Sequence, residues 1–263
     1  MKKTISASAL VALVGVWALV ASCDRSSTAE LEYEVIRTLP HDSTAYTQGL
    51  LVHDGSLLES TGQYGRSSLR RVEIATGRVL DRHDLADDHF GEGLAQVGDR
   101  LVQLTWKAGL AFVYELETLA PVDTFTYEGE GWGLCHDGER LVMSDGSSSL
   151  DMRDPATFEL TGSLRVTRDG YSVSGLNELE CVDGHVFANI YQSHEIVRIE
   201  MATGRVTGVI DAYSLGLRAG RPTDADAVLN GIAYDGESGA FYLTGKLWPH
   251  LFEVAIEGHP PVR

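Results

Sequence analysis

Gly49-Leu50-Leu51-Val52-His53-Asp54-Gly55-Ser56-Leu57-Leu58 reads as an apolar strand, a tight His-Asp-Gly turn and a second apolar strand. An Asp-Gly pair tolerates the positive φ that short hairpin turns demand, so the stretch predicts a β-hairpin. The same signals return near Gly93, Gly133, Glu178 and Gly231, at a period of about 40 to 53 residues. His136-Asp137-Gly138 followed by Leu141-Val142-Met143 is another copy of the hairpin. A third and a fourth strand follow it, as in Ser68 to Ile74, the turn Thr76-Gly77-Arg78 and Val79-Leu80-Asp81, and Ile196 to Val206 repeats that pattern.

Four antiparallel strands per repeat, with scarcely any helical periodicity, describe propeller blades. The expected fold is all-β: a five-bladed β-propeller of four-stranded antiparallel blades. The last repeat supplies Gly231 to Tyr234, Ala240 to Thr244 and Leu251 to Ile256, then ends one strand short. The N-terminal strand Leu31 to Leu39 is expected to fill that gap and close the ring, which leaves no unpaired edge at the seam. Residues 31–263 are thus read as one domain.

Ahead of it, Lys2 and Lys3 lead into an apolar run from Ala9 to Ala21, shorter than the roughly 20 residues that span a bilayer. The run ends in Val20-Ala21-Ser22-Cys23, a lipobox pattern. Residues 1–22 are expected to be a lipoprotein signal peptide, Cys23 its lipidated product terminus, and 23–30 a polar tether. The competing reading is an ordinary cleaved signal with an incidental cysteine. The lipobox predicts a protein of the bacterial cell envelope, held to a bilayer through acylated Cys23 and facing the periplasm.

Loss of Lys2 and Lys3 leaves 19 basic residues against 38 acidic ones, a formal charge of −19. That balance excludes nucleic acid as a natural partner. With 43% apolar residues the chain can bury a proper core, and a monomer is expected. Outside the cytoplasm Cys135 and Cys181 are able to pair, and they fall near the starts of successive repeats, but sequence does not supply their separation. The nine histidines form no HExxH pair and no tight ligand cluster, so no metal and no cofactor is expected.

In a propeller the first strand of each blade lines the axis, and the loops before strand one and after strand two emerge at the same end. Gln48, Glu92, Trp132, Asn177 and Asn230 stand just before the five repeats, so they are expected around one mouth of the channel. The second set of loops adds Gln63, Trp106-Lys107, Asp145-Gly146, Tyr191-Gln192 and Lys246-Leu247-Trp248. A carboxylate, an ammonium, amides and aromatics would then share one face. The plainer reading is that the tryptophans cap the blades and Glu92 is a solvated turn residue.

These residues carry a resemblance. Tyr46-Thr47-Gln48-Gly49-Leu50, Phe90-Gly91-Glu92-Gly93, Leu104-Thr105-Trp106-Lys107, Gly129-Glu130-Gly131-Trp132-Gly133-Leu134, Leu176-Asn177-Glu178-Leu179-Glu180, Leu229-Asn230-Gly231-Ile232-Ala233-Tyr234 and Thr244-Gly245-Lys246-Leu247-Trp248-Pro249 occur in the order and spacing of the plant-type glutaminyl cyclases, also found in bacteria. The resemblance runs from about Tyr33 to Ile256. It implies cyclisation of N-terminal glutamine to pyroglutamate with release of ammonia, on peptides or proteins that begin with Gln. It further implies Glu92 as the proton-carrying carboxylate, Gln48 and Asn177 as amides that orient the substrate, and Lys246 as a positive charge for the developing oxyanion. Phe90, Trp106 and Trp132 match the family's aromatic pocket, and Tyr191, Asn230 and Trp248 complete the expected substrate-binding set. The family commonly has tryptophan where Tyr191 stands, so one pocket wall departs from its pattern. Two other readings compete: a non-catalytic, membrane-anchored propeller that binds peptides or proteins, and a metal-dependent propeller hydrolase, for which a single acid among the five pre-repeat positions is a poor supply of ligands.

Overall fold

The computed structural model of the chain describes residues 28–259. The expected signal peptide and Cys23 lie outside the described residues, as do residues 260–263 of the expected domain. Among the described residues, β1 (Ala29–Glu30) and β2 (Tyr33–Pro40) precede a meander of β3 (Thr47–His53), β4 (Ser56–Thr61), β5 (Ser68–Glu73) and β6 (Arg78–Asp84). The next is β7 (Gly91–Val97), β8 (Arg100–Thr105), β9 (Leu110–Glu115) and β10 (Pro121–Thr126). The third is β11 (Leu134–His136), β12 (Leu141–Met143), β13 (Ser149–Arg153) and β14 (Leu160–Arg165). A small hairpin, β15 (Thr167–Arg168) and β16 (Tyr171–Ser172), leads to β17 (Leu176–Val182), β18 (His185–Ile190), β19 (Glu195–Glu200) and β20 (Arg205–Asp211). Helix α1 (Tyr213–Arg218) then precedes β21 (Leu229–Asp235), β22 (Ala240–Gly245) and β23 (His250–Ile256).

The pairing corrects the expectation of five four-stranded blades. Four sheets are four-stranded antiparallel blades: β3 to β6, β7 to β10, β11 to β14, and β21 to β23 with β2 on the outer edge. The remaining sector of the all-β propeller is a seven-stranded mixed sheet built on β17 to β20. There β1 and β15 both pair parallel to β20, and β16 pairs with β15. The outer edge of β20 carries unpaired backbone groups, and these short strands cover them. Ala29 and Glu30 are therefore strand rather than tether, which shortens the expected tether at its C-terminal end.

Burial sorts the strands as a ring requires. β3, β7, β17 and β21 are buried over their first five, five, four and five residues, whereas β6, β10 and β14 have no buried residue. The innermost strands β3, β7, β11, β17 and β21 touch in a closed cycle. Their backbones approach so closely that a Cβ at Gly93 would stand 2.4 Å from the Leu134 nitrogen, and one at Gly133 would stand 2.0 Å from the Asn177 oxygen. That is why four of the five repeats open on glycine. Between blades the side chains interlock; Leu51, Leu58 and Leu69 meet Leu94, Leu101 and Tyr114. Truncating a fully buried residue such as Leu58 to alanine costs about 2–5 kcal/mol.

The Cys135 and Cys181 sulfurs are bonded, with the Cα atoms 5.5 Å apart. The bridge ties β11 to β17. A second brace is ionic: buried Glu59 accepts from Thr47 Oγ1 at 2.7 Å, meets His41 Nε2 at 3.1 Å and is paired with Arg70, which also reaches Asp42 at 2.7 Å. His41 Nδ1 donates to the Trp248 carbonyl at 2.7 Å, so the network joins the first blade to the closing blade.

Candidate active site

Four inner strands carry the same irregularity at the same height. The β3 register shifts between Thr47 and Gly49, β7 between Gly91 and Leu94, β17 between Leu176 and Leu179, and β21 between Leu229 and Ile232. The residues inside these bulges are Gln48, Glu92, Asn177 and Asn230, each with its neighbours. A bulge places an extra residue against its partner strand and re-aims the side chain. Repeated around the axis, it turns the sequence-equivalent residues towards one end of the ring.

Gln48, Glu92 and Asn177 line a cavity of about 270 Å³ together with Tyr46, Phe90, Trp106, Trp132, Tyr191, Asp226 and Lys246. Glu92 is 4% exposed and Lys246 3%. Gln48 Nε2 donates to Glu92 Oε1 at 2.8 Å, and Asn230 Nδ2 donates to Gln48 Oε1 at 3.0 Å. The second bond fixes which end of the Gln48 amide faces Glu92. Lys246 Nζ lies over the Tyr46 ring at 4.8 Å from its centroid and over Tyr191 at 5.2 Å. Asn177 Oδ1 is buried with no hydrogen-bond partner among the described residues. A buried acceptor without a partner is costly unless a ligand supplies the donor.

The aromatic walls are held by one carboxylate. Glu130 Oε2 accepts from Trp106 Nε1 at 2.7 Å and from Trp132 Nε1 at 3.1 Å, while Lys107 Nζ sits 3.6 Å from Glu130 Oε1 and 3.8 Å above the Trp106 ring. Phe90 meets Trp106 edge-on at 5.5 Å, and Trp132 meets Tyr191 at the same separation. The Tyr191 hydroxyl donates to Asp226 Oδ1 at 3.4 Å.

Burial pushes the Glu92 carboxyl well above the ordinary range; Lys246 opposes this, Glu130 adds to it, and the bond from Gln48 opposes it. Burial likewise lowers the affinity of Lys246 for its proton, against the pull of Glu92 and Asp226. The pocket therefore holds a carboxyl whose burial favours its neutral form, beside a lysine whose charge burial opposes and Glu92 and Asp226 favour.

Eight of the ten expected site residues line this pocket. Asn230 lies one layer behind it, buried, and acts on Gln48. Trp248 is not a wall at all: it is 1% exposed in the core and donates from Nε1 to the Ala227 carbonyl at 3.0 Å. Leu247, at φ 62°, reverses the chain between the two residues, so Lys246 faces the pocket and Trp248 the core. Tyr46, Asp226 and Glu130 were not among the expected site residues. Tyr46 and Glu130 stand inside matched segments, two residues from Gln48 and from Trp132. Asp226 lies in the polar stretch between α1 and β21, which has no counterpart in the other repeats and so carries no positional signal. Among the described residues no three His, Cys, Asp or Glu side chains gather as a metal-ligand set.

A family model described as glutamine cyclotransferase matches residues 8–256. The chain is 41% identical over 230 residues to the glutaminyl-peptide cyclotransferase of Arabidopsis thaliana, an alignment covering 86% of this chain and 72% of the plant protein. The crystal structure of Myxococcus xanthus glutaminyl cyclase superposes with a TM-score of 0.83 at 41% identity, over 90% of this chain and 100% of that one. With the bulged inner strands and the Gln48–Glu92 pocket already in place, these likenesses agree on one conclusion: the chain belongs to the glutamine cyclotransferase family.

Proposed function

We propose that this pocket performs the glutaminyl-peptide cyclotransferase reaction with Glu92 as its proton carrier. The observation that carries the reading is a buried carboxyl, raised in proton affinity and bonded to Gln48, in a cavity of about 270 Å³ walled by aromatic rings. That volume suits one glutaminyl side chain and its amino group, with the rest of a peptide outside.

In the reaction the substrate's α-nitrogen forms a bond to its own γ-carboxamide carbon, the bond from that carbon to the amide nitrogen breaks, and ammonia leaves. One proton must pass from the attacking to the departing nitrogen. The substrate's ammonium gives up its proton to solvent as it enters the dry pocket, because burial favours the neutral amine as it favours the neutral carboxyl of Glu92. Glu92 then delivers a proton to the leaving nitrogen and accepts one from the attacking nitrogen. Because the attack is intramolecular, holding the side chain folded back on its amine supplies much of the rate. In this reading Asn177 Oδ1, buried with no partner among the described residues, accepts from the carboxamide N–H, and Lys246 balances the oxygen as it becomes negative.

The natural substrates in this reading are peptides or proteins with N-terminal Gln, acted on by a monomer without a cofactor. The lipobox ending at Cys23 supports export and anchoring at a membrane facing the periplasm. Fatty-acid labelling lost in Cys23→Ser would support the anchor; unchanged labelling would remove it. The catalytic reading is tested by incubating the chain with a Gln-initiated dipeptide and measuring ammonia and pyroglutamyl product, expected in equal amounts.

A further inference from the structure

Lys246 is an ammonium held in a dry place between two tyrosine rings, 4.8 and 5.2 Å from its Nζ. Ring faces attract a cation but carry no net charge, so a desolvated ammonium there still needs an anion to balance it. Glu92 shares the pocket, yet burial favours its neutral form, and the reaction returns it to that form at each turnover. The other carboxylate lining the cavity is Asp226.

The loop that carries Asp226 is fastened to the loop that carries Lys246. Lys246 N donates to the Val228 carbonyl at 2.9 Å, and Val228 N donates to the Asp226 carbonyl at 2.7 Å. Trp248, two residues beyond Lys246, donates from its indole to the Ala227 carbonyl at 3.0 Å. The Asp226 backbone N–H donates to Asp224 Oδ1 at 2.9 Å, and the side chain is met by the Tyr191 hydroxyl, which donates to Asp226 Oδ1 at 3.4 Å.

We propose that Asp226 is a positioning residue of the site: its carboxylate is the standing counter-charge of Lys246, which keeps that ammonium charged and in place while Glu92 passes through its neutral form. The inference rests on the cyclase reading of the pocket. The titratable groups facing Lys246 are Glu92 from β7, Tyr46 from the segment before β3, Tyr191 from the loop after β18 and Asp226 from the loop before β21, with Asp224 farther out on that loop. Of these, Glu92 and Asp226 favour the protonated lysine, and burial opposes it.

The test uses the full-length chain with lysine labelled at ¹³Cε. Lys246 is one of four lysines, with Lys2, Lys3 and Lys107, and Lys246→Met identifies its resonance. In Asp226→Asn the Lys246 titration midpoint is expected to fall by about one pH unit or more, the scale of losing a nearby opposite charge. The alkaline limb of kcat with a Gln-initiated peptide should move down with it, and Asp226→Glu should restore both. If Asp226→Asn does not fold, Asp226→Ser takes its place. An unmoved Lys246 midpoint with an unmoved alkaline limb would overturn the proposal, and a raised KM alone would reassign Asp226 to contact with the substrate's ammonium. The titration needs no substrate, so it still decides the pairing should the wild-type chain make no pyroglutamyl product, a result that sinks the cyclase reading instead.

Discussion

Gln48 Nε2 donates a 2.8 Å hydrogen bond to Glu92 Oε1 across neighbouring blades, and Asn230 prevents the Gln48 amide from turning over. The bond favours the carboxylate and so moderates the effect of burial on Glu92. Gln48→Met keeps the length of the side chain and removes both contacts. We expect kcat to fall about ten-fold, the worth of one buried hydrogen bond. The limb of the kcat/KM profile set by Glu92 should move to higher pH, because the group that stabilised its ionised form is gone. A profile that does not move would show that Gln48 acts on the substrate alone.

Lys246→Met retains the apolar stem between Tyr46 and Tyr191 but loses the charge. The carboxamide oxygen becomes negative only as the ring closes, so the loss should appear in kcat and kcat/KM together, at about 2–4 kcal/mol of barrier. Steady-state kinetics with a Gln-initiated peptide decide it. A raised KM with kcat intact would make Lys246 a binding group.

Glu59 sits in the core between Arg70 and His41. Burial alone would raise its pKa, but Arg70 and His41 outweigh burial and hold it far below the usual carboxylate range. A carboxylate depressed on folding stabilises at pH above its unfolded value, and that stabilisation is lost as pH falls through the folded value. Glu59→Gln at neutral pH leaves Arg70 buried against a neutral amide and should cost about 3–5 kcal/mol in denaturant unfolding. The gap between variant and wild type should narrow in strong acid. An equal stability at neutral pH would contradict the network's role.

The polar centre of the site was legible because a repeat makes positions equivalent. Gln48, Glu92, Asn177 and Asn230 hold equivalent positions at the start of their repeats; the structure places them inside the inner strands rather than on loops ahead of them, and there the same bulge aims three of them at one cavity. Loop position says which end of the ring a residue occupies but not which way its side chain faces. Trp248 shows the difference, since the turn at Leu247 sends it into the core. Features outside the repeat left no such trace. Asp226 lies in an insertion, and the seven-stranded sheet owes its extra strands to Ala29–Glu30 and Thr167–Ser172, pieces of two residues each that have no strand periodicity to read. Glu130 was visible in the sequence, but its grip on two indoles depends on the third dimension.

The Cys135–Cys181 bridge joins inner strands at the end opposite the bulged residues, near Glu180 and His136. Replacing both cysteines by alanine should lower unfolding free energy by about 2–4 kcal/mol, as expected for opening a loop of 46 residues. Turnover at 25 °C, roughly the temperature at which that scale holds, should stay within about two-fold of wild type, because the brace is remote from the pocket. Unchanged stability would mean that the ring closes as firmly without it.

The most direct measurement of the central claim is single-turnover and steady-state cyclisation of a Gln-initiated dipeptide by Glu92→Gln, with folding checked by circular dichroism. The amide is nearly isosteric and keeps the contact with Gln48, but it cannot carry a proton between the two nitrogens. With Glu92 as the proton carrier, the fold should be unchanged, KM close to wild type and kcat lower by about 100-fold or more. Turnover near the wild-type rate, with ammonia and pyroglutamyl product still formed together, would contradict that role and leave Glu92 a buried structural residue.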